Sequence, residues 1–193
     1  ELKMISKITI CNLALAQLGQ APISSLTQED EKARRLNLFY EPVRDEVLRT
    51  HNWGFATVWE PLALMEKQDN CFLYKYPQEA LFIRRVYQPS YKNTAFRELF
   101  HPKFRTRVLE SAAPQAWAEY THRVEDESQF DAAFVKSFSL ALAADLALSL
   151  TGDNTLAAQI LQKYTLSLDE ARRSNMTENF AQTVQTDAFT EVR

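Results

Sequence analysis

The stretch from Ala33 to Ala56, ARRLNLFYEPVRDEVLRTHNWGFA, limits the possible folds more than any other part of the chain. Leu36, Tyr40, Val43, Val47 and Leu48 recur at helical spacing, an apolar stripe that has to lie on a core. Arg34, Glu41, Arg44, Asp45 and Arg49 fill the other face, with Asp45 placed ahead of Arg49 in the favourable order for an exposed pair. Pro42 lacks a donor and clashes with the preceding turn, so a kink near Tyr40 or a fresh helix start is expected. Gly54 is expected to stop the helix, with Trp53 and Phe55 closing the end of the core. None of these residues forms a catalytic pattern, so the element reads as architecture.

The 193 residues suffice to bury roughly 70% of the unfolded surface. A hydrophobic share of 46% favours a packed core over disorder. The 22 basic and 25 acidic residues alternate and leave a net charge of −3, which lacks the electrostatic footprint of a tight DNA binder. Cys11 and Cys71 stand far apart, with neither a CxxC spacing nor a histidine cluster, the pattern of two reduced thiols in a cytosolic protein. No basic-then-apolar leader is present, which points away from secretion through a cleaved signal. The most apolar run, Phe138 to Leu150, is short for a bilayer and carries Asp145, so a buried helix is expected and no membrane partner.

Three zones follow in order. Residues 1–56 read as an N-terminal helical hairpin: Ile8, Leu13, Leu15, Ala16 and Leu18 lead to Gly19 as a C-cap and Pro22 as a stop. Thr27 is the expected N-cap of the next helix, with Glu29, Asp30 and Glu31 near the positive end of its dipole. Residues 57–124 change character. Short aromatic and β-branched runs (72–76, 81–87, 96–100, 104–109, 116–124) alternate with Pro61, Pro77, Pro89, Pro102 and Pro114, the pattern of strands joined by turns. Residues 125–175 return to helix. Glu125, Asp126 and Glu127 open it, Phe130, Phe134, Phe138, Leu142 and Leu146 follow at helical spacing, and Gly152 closes it. A second helix from Asn154 is expected to end near Asn175 and to complete one bundle with the first hairpin. The expected fold class is therefore mainly α with a small antiparallel β region, a helical bundle with an inserted β-subdomain.

Candidate sites are sparse. His51, His101 and His122 share no neighbourhood and no metal-ligand spacing, so no metal and no cofactor is expected. Three glycines provide neither a phosphate-cradling loop nor a nucleophile elbow. Glu125, Asp126 and Glu127 read as dipole-complementing acids rather than a paired-carboxylate site. Asp145 interrupts FSLALAADLALSL; a buried carboxylate there needs an arginine partner, from the organising helix or from a neighbouring subunit. Arg84, Arg85, Arg97, Arg105 and Arg107 are interleaved with aromatics. They read as strand-face and subunit-contact residues, with occasional phosphate contact as the functional alternative.

Three blocks, ICNLALAQLGQAPISSL, KARRLNLFYEPVRDEVLRTHNWGFA and YTHRVEDESQFDAAFVKSFSLALAADLALSLTGD, resemble the head-to-tail adaptor family of tailed bacteriophages, in its tail tubular protein A group. The resemblance covers most of Ile8 to Tyr164 in the family's order. One departure is Gly54, where the family's Trp-Asn-Phe-Ala has asparagine. The resemblance implies a structural virion protein at the head–tail junction, made in the host cytoplasm. It would form a ring, commonly of twelve copies, under the portal protein; a monomer in isolation is expected separately, because early ring closure would compete with ordered assembly. Such a ring extends the channel through which genomic DNA passes without sequence-specific binding, and docks the tail nozzle or next tail protein. Asp145, Arg84, Arg85 and Arg97 are the expected subunit-interface residues. The last segment, 176–193, is expected to be an extended tail whose Phe180, Val184, Phe189 and Val192 dock on a partner. Two alternatives stay open: a soluble helical interaction module outside any virion, and an enzyme such as a nuclease or lysozyme-like hydrolase.

Overall fold

The computed structural model describes residues 5–88, 90 and 93–180. Among these residues, four helices flank the middle of the chain: α1 (Lys7–Gln17), α2 (Glu31–Thr50), α3 (Ala132–Thr151) and α4 (Asn154–Phe180). Between α2 and α3 lie eight strands: β1 (Thr57–Pro61), β2 (Leu64–Lys67), β3 (Phe72–Lys75), β4 (Ala80–Tyr87), β5 (Asn93–Thr94), β6 (Phe96–His101), β7 (Thr106–Ser111) and β8 (Trp117–His122). They form two antiparallel four-stranded sheets, in the orders β1-β8-β4-β5 and β2-β3-β7-β6. With 47% helix and 25% strand the fold is a mixed helix-and-sheet fold. That corrects the expected mainly helical bundle with a small inserted β region. Individual strand runs were readable, but β1, β2 and β5 carry little apolar alternation and become strands only by pairing with distant neighbours.

The chain divides into two compact units. Among the described residues, the β unit takes residues 5–7 and Tyr40 to Asp131 and so holds the end of α2 and the eight strands. Its core joins residues of both sheets, among them Tyr74, Leu109, Ile83, Val86, Ala118 and Tyr120, with Val58, Phe72 and Phe96 packed against them. Tyr74 donates its hydroxyl to the carbonyl of Ala113, so this buried phenol is satisfied.

Among the described residues, the helical unit takes Ile8 to Phe39 and residues 132–180. Gly19 and Gly152, at φ 65° and 67°, end α1 and α3 in the left-handed conformation expected of C-cap glycines. Gln20 N donates back to the carbonyl of Leu15 at 3.0 Å, and Gly152 N to that of Leu148 at 2.9 Å. Asp30, not Thr27, caps α2: its Oδ1 accepts from Ala33 N at 2.7 Å, while Thr27 is held in a turn by Ser25. Asp153 caps α4 through the amides of Thr155 and Leu156. Along α3, Phe134, Phe138, Leu142 and Leu146 are fully buried. α3 is long and apolar enough to cross a membrane, yet most of it is buried inside the chain itself, as in the core helix of a folded domain. α3 and α4 meet through buried Ser137 and Ser167 hydroxyls, 3.0 Å apart, and through Lys136 and Glu170 at 2.6 Å.

α2 contributes residues to both units and keeps its predicted stripe, with Leu36, Tyr40, Val43, Val47 and Leu48 all buried. It runs unbroken through Pro42. Pro42 is exposed, so water can take the Leu38 carbonyl that loses its amide partner. The helix ends at Thr50, ahead of Gly54, which sits in a short 3-10 turn with Phe55 and Ala56. Glu125 to Glu127 do not open α3 either. They precede it, and Asp126 caps a separate 3-10 turn by accepting from Ser128 N at 3.0 Å. Finally, α4 continues to Phe180, so the start of the expected extended tail is helical.

Candidate functional site

The outward face of the first sheet gathers the side chains with the most chemistry. β1 and β8 pair so that Trp59 faces Glu119 and Pro61 faces Trp117, and β8 in turn sets Glu119 against Arg85 and Trp117 against Tyr87. The β4–β8 register shifts between Ile83 and Arg85, a bulge that lets Arg84 and Arg85 both point away from the core while Ile83 and Val86 stay in it. Trp59 lies 5.6 Å from Trp117 and 6.0 Å from Tyr87 between ring centroids. Tyr87 donates its hydroxyl to Glu119 Oε2 at 2.8 Å, Arg85 donates to the Tyr87 hydroxyl at 3.4 Å, and Asn52 donates to Glu119 Oε1 at 3.2 Å. The carboxylate is thus fixed in position by neutral donors.

Arg84 closes the end of α2. Its Nη2 donates to the carbonyls of Arg49 and His51, each at 2.8 Å, and its Nε to the Thr121 hydroxyl at 2.9 Å. The last carbonyls of a helix have no amide partners and carry the negative end of its dipole, so a guanidinium there satisfies both needs. Its guanidinium carbon also stands 4.7 Å from the Phe82 ring centroid, and that of Arg49 stands 5.6 Å from the same ring.

A polar cleft of about 510 Å³ is lined by Glu79, His122, Arg123, Glu125, Asp126 and Gln129. Of its acids, Asp126 is occupied as an acceptor. Hydrogen bonds from the Ser128 hydroxyl and amide and from Gln129 hold the Asp126 carboxyl below its usual range. Glu125 lies 3.8 Å from Arg44, and Glu127 accepts the Tyr40 hydroxyl at 3.0 Å. Among the described residues no group of three or more metal-ligating side chains converges. His51 packs edge-on to Trp53 at 4.8 Å and His101 against Phe104 at 4.9 Å, while His122 lines the cleft, so the three histidines stand in separate places.

Tyrosine ionisation is resisted across the β unit. Burial first, and then the carboxylate of Glu60 that accepts its hydroxyl at 3.0 Å, push Tyr120 up to about 12 from 10.0. Tyr74, Tyr76 and Tyr87 are raised as well, each chiefly by burial. The folded chain therefore holds these protons more tightly than the unfolded chain does. The stability they contribute is complete below the ordinary tyrosine value and is lost as pH rises through the folded one. Melting temperature should fall steeply between about pH 10 and 12, and Tyr120→Phe should flatten that fall. Melts that decline equally in wild type and variant would remove Tyr120 from this account.

The residues singled out in the sequence are dispersed. Asp145 is exposed on α3, next to the outward Leu148 and Ser149, which corrects the expected buried carboxylate. A run that is apolar almost all round still turns one side outward every 3.6 residues, and Asp145 falls on that side. Arg84 and Arg85 lie together on the first sheet, whereas Arg97 is exposed on β6, paired with Glu110 across to β7. Arg107 pairs with Glu98 at 2.7 Å and lies 3.8 Å from the Tyr76 ring centroid. Arg105, at φ 51°, turns the hairpin between β6 and β7. The expected docking contacts of Phe180, Val184, Phe189 and Val192 lie outside the described residues. Sequence reading passed over Trp59 and Trp117. Their signal was the step-two spacing of Thr57, Trp59 and Pro61, which pairing with β8 turns into one face. The sequence matches no family model and no curated protein.

Proposed function

We propose that the chain is a non-enzymatic head-to-tail adaptor of a tailed bacteriophage or prophage. It would assemble as a ring under the portal protein, extend the DNA channel and receive the next tail component. The three sequence blocks support this reading. From the structure, the observation that carries it is the set of leucines turned to solvent by the helical unit. Leu148 of α3 and Leu161 and Leu166 of α4 are each 55% exposed, and Leu38 of α2 is 68% exposed. A single exposed leucine is ordinary, but several on the rigid helices of one unit provide apolar area for a subunit or a partner to cover.

The test is electron microscopy of the purified chain mixed with a purified portal protein from the phage or prophage that encodes it. A stacked ring on the portal is expected. Leu161→Glu together with Leu166→Glu changes only exposed side chains, so folding should shift by no more than about 0.5 kcal/mol each, while the ring should be lost. Portal particles that gain no density from excess wild-type chain would end the proposal. A monomer in isolation is compatible with it, because rings that closed early would compete with ordered docking.

A further inference from the structure

We propose that the outward face of the first sheet is a binding platform for single-stranded nucleic acid, with bases stacking on Trp59, Trp117, Tyr87 and Phe82 and phosphates meeting Arg49 and Arg85. Four observations meet on this face. First, its rings are open to solvent: Trp59 is 48% exposed, Phe82 38% and Trp117 36%. Burying such rings normally stabilises a fold, so the part of each ring that stays in water is surface on which a ligand can stack.

Second, the rings are held in place. They stand on hydrogen-bonded strands, Trp59 touches both Trp117 and Tyr87, and Tyr87 is tied to Glu119. Little conformational freedom remains to be lost when a base stacks.

Third, the face is cationic. Arg49, Arg84 and Arg85 make no ion pair among the described residues, a state they share with Lys67, Lys75 and Arg105 of the same unit, but the first three are gathered around one ring, Phe82, and one sheet face. Arg84 is committed to the carbonyls at the end of α2 and adds field rather than contact. The carboxylate among them, Glu119, held by Tyr87 and Asn52, attracts both Arg84 and Arg85 and offsets one of the three positive charges, so the face stays net positive. The whole-chain charge of −3 does not offset this, because exposed charges more than about 8 Å apart are largely screened at physiological salt.

Fourth, cation and ring are already paired, with Arg49 5.6 Å from the Phe82 ring centroid. Complementarity then selects the ligand. A duplex offers phosphates but hides its base faces. A sulfated polysaccharide offers charge without flat rings, and a neutral sugar makes no use of the arginines. An unpaired strand presents exposed bases and phosphates together. The proposal is independent of the adaptor reading, since it concerns a sheet face and not the leucines of the helical unit.

The test titrates the full chain with an oligothymidylate of about twenty residues and follows tryptophan fluorescence. Trp53 is buried, so quenching reports on Trp59 and Trp117. Binding should weaken with salt, with a log–log slope of about −0.7 for each phosphate engaged. Trp59→Ala should weaken it roughly 5- to 100-fold, the effect of losing one stacked base, and Trp59→Phe should restore most of the loss. Arg49→Ala with Arg85→Ala should flatten the salt slope while circular dichroism stays unchanged. The proposal is overturned by an absence of quenching, or by a duplex or heparin that binds as well as the single strand. It is equally overturned by salt-independent quenching with a neutral oligosaccharide, or by self-association that Trp59→Ala abolishes.

Discussion

Asp45→Ala should be among the most damaging single changes in the β unit, costing about 3 to 5 kcal/mol. Arg44 Nε and Nη2 donate to Asp45 Oδ1 at 3.0 and 2.9 Å, and Arg123 Nε donates to Asp45 Oδ2 at 3.0 Å. The Arg44 side chain is only 6% exposed and that of Asp45 23%. Removing the carboxylate strands a guanidinium away from water, and its remaining acid neighbour, Glu125, is 3.8 Å away and 72% exposed. An unpaired buried charge costs more than the pair ever contributed, so the asymmetry matters more than the strength of the bridge. Arg123 is 43% exposed and would return to solvent at little cost. Urea unfolding should show the midpoint drop. Arg44→Met in the Asp45→Ala background should recover part of it, because the buried charge is then gone. A double variant less stable than Asp45→Ala alone would show that Arg44 packing, not its charge, dominates.

Phe138→Ala probes the helical unit and should cost about 3 to 5 kcal/mol. Phe138 is fully buried on α3, its ring 5.6 Å from that of Phe134, in a helix that also buries Leu142 and Leu146 completely. Truncation removes the transfer free energy of the ring and leaves a cavity, and the helices on either side have limited freedom to collapse into it. Phe138→Leu, which keeps much of the volume, should cost about half as much. For a chain of this size, the alanine variant should melt roughly 10 °C or more below the wild type in calorimetry. A loss under about 1 kcal/mol would mean that the site repacks freely.

How legible the molecule was from its residues depended on whether the deciding interaction was local. The α2 stripe from Leu36 to Leu48, the C-caps at Gly19 and Gly152, the α4 start at Asn154 and the cores of β3, β4, β6, β7 and β8 follow from periodicity and turn chemistry a few residues wide. The fold class was misread because β1, β2 and β5 gain their identity from partners far along the chain. Asp145 was misread because composition shows how apolar a helix is but not which side it turns outward. The sheet face was half visible. Arg84, Arg85 and Tyr87 stand out in the sequence, while Trp59 and Trp117 join them only through the β1–β8 register.

By itself, then, the sequence determined that helices flank a strand-forming middle, the apolar face of α2 and the glycine stops of α1 and α3, since these rest on contacts within one or two turns. Only the tertiary structure decided that the strands make two sheets, that a bulge points Arg84 and Arg85 the same way, and that Arg84 closes α2. Those outcomes depend on pairings such as that of Glu60 with Tyr120, 60 positions apart, whose loop-closure entropy and register no local pattern encodes.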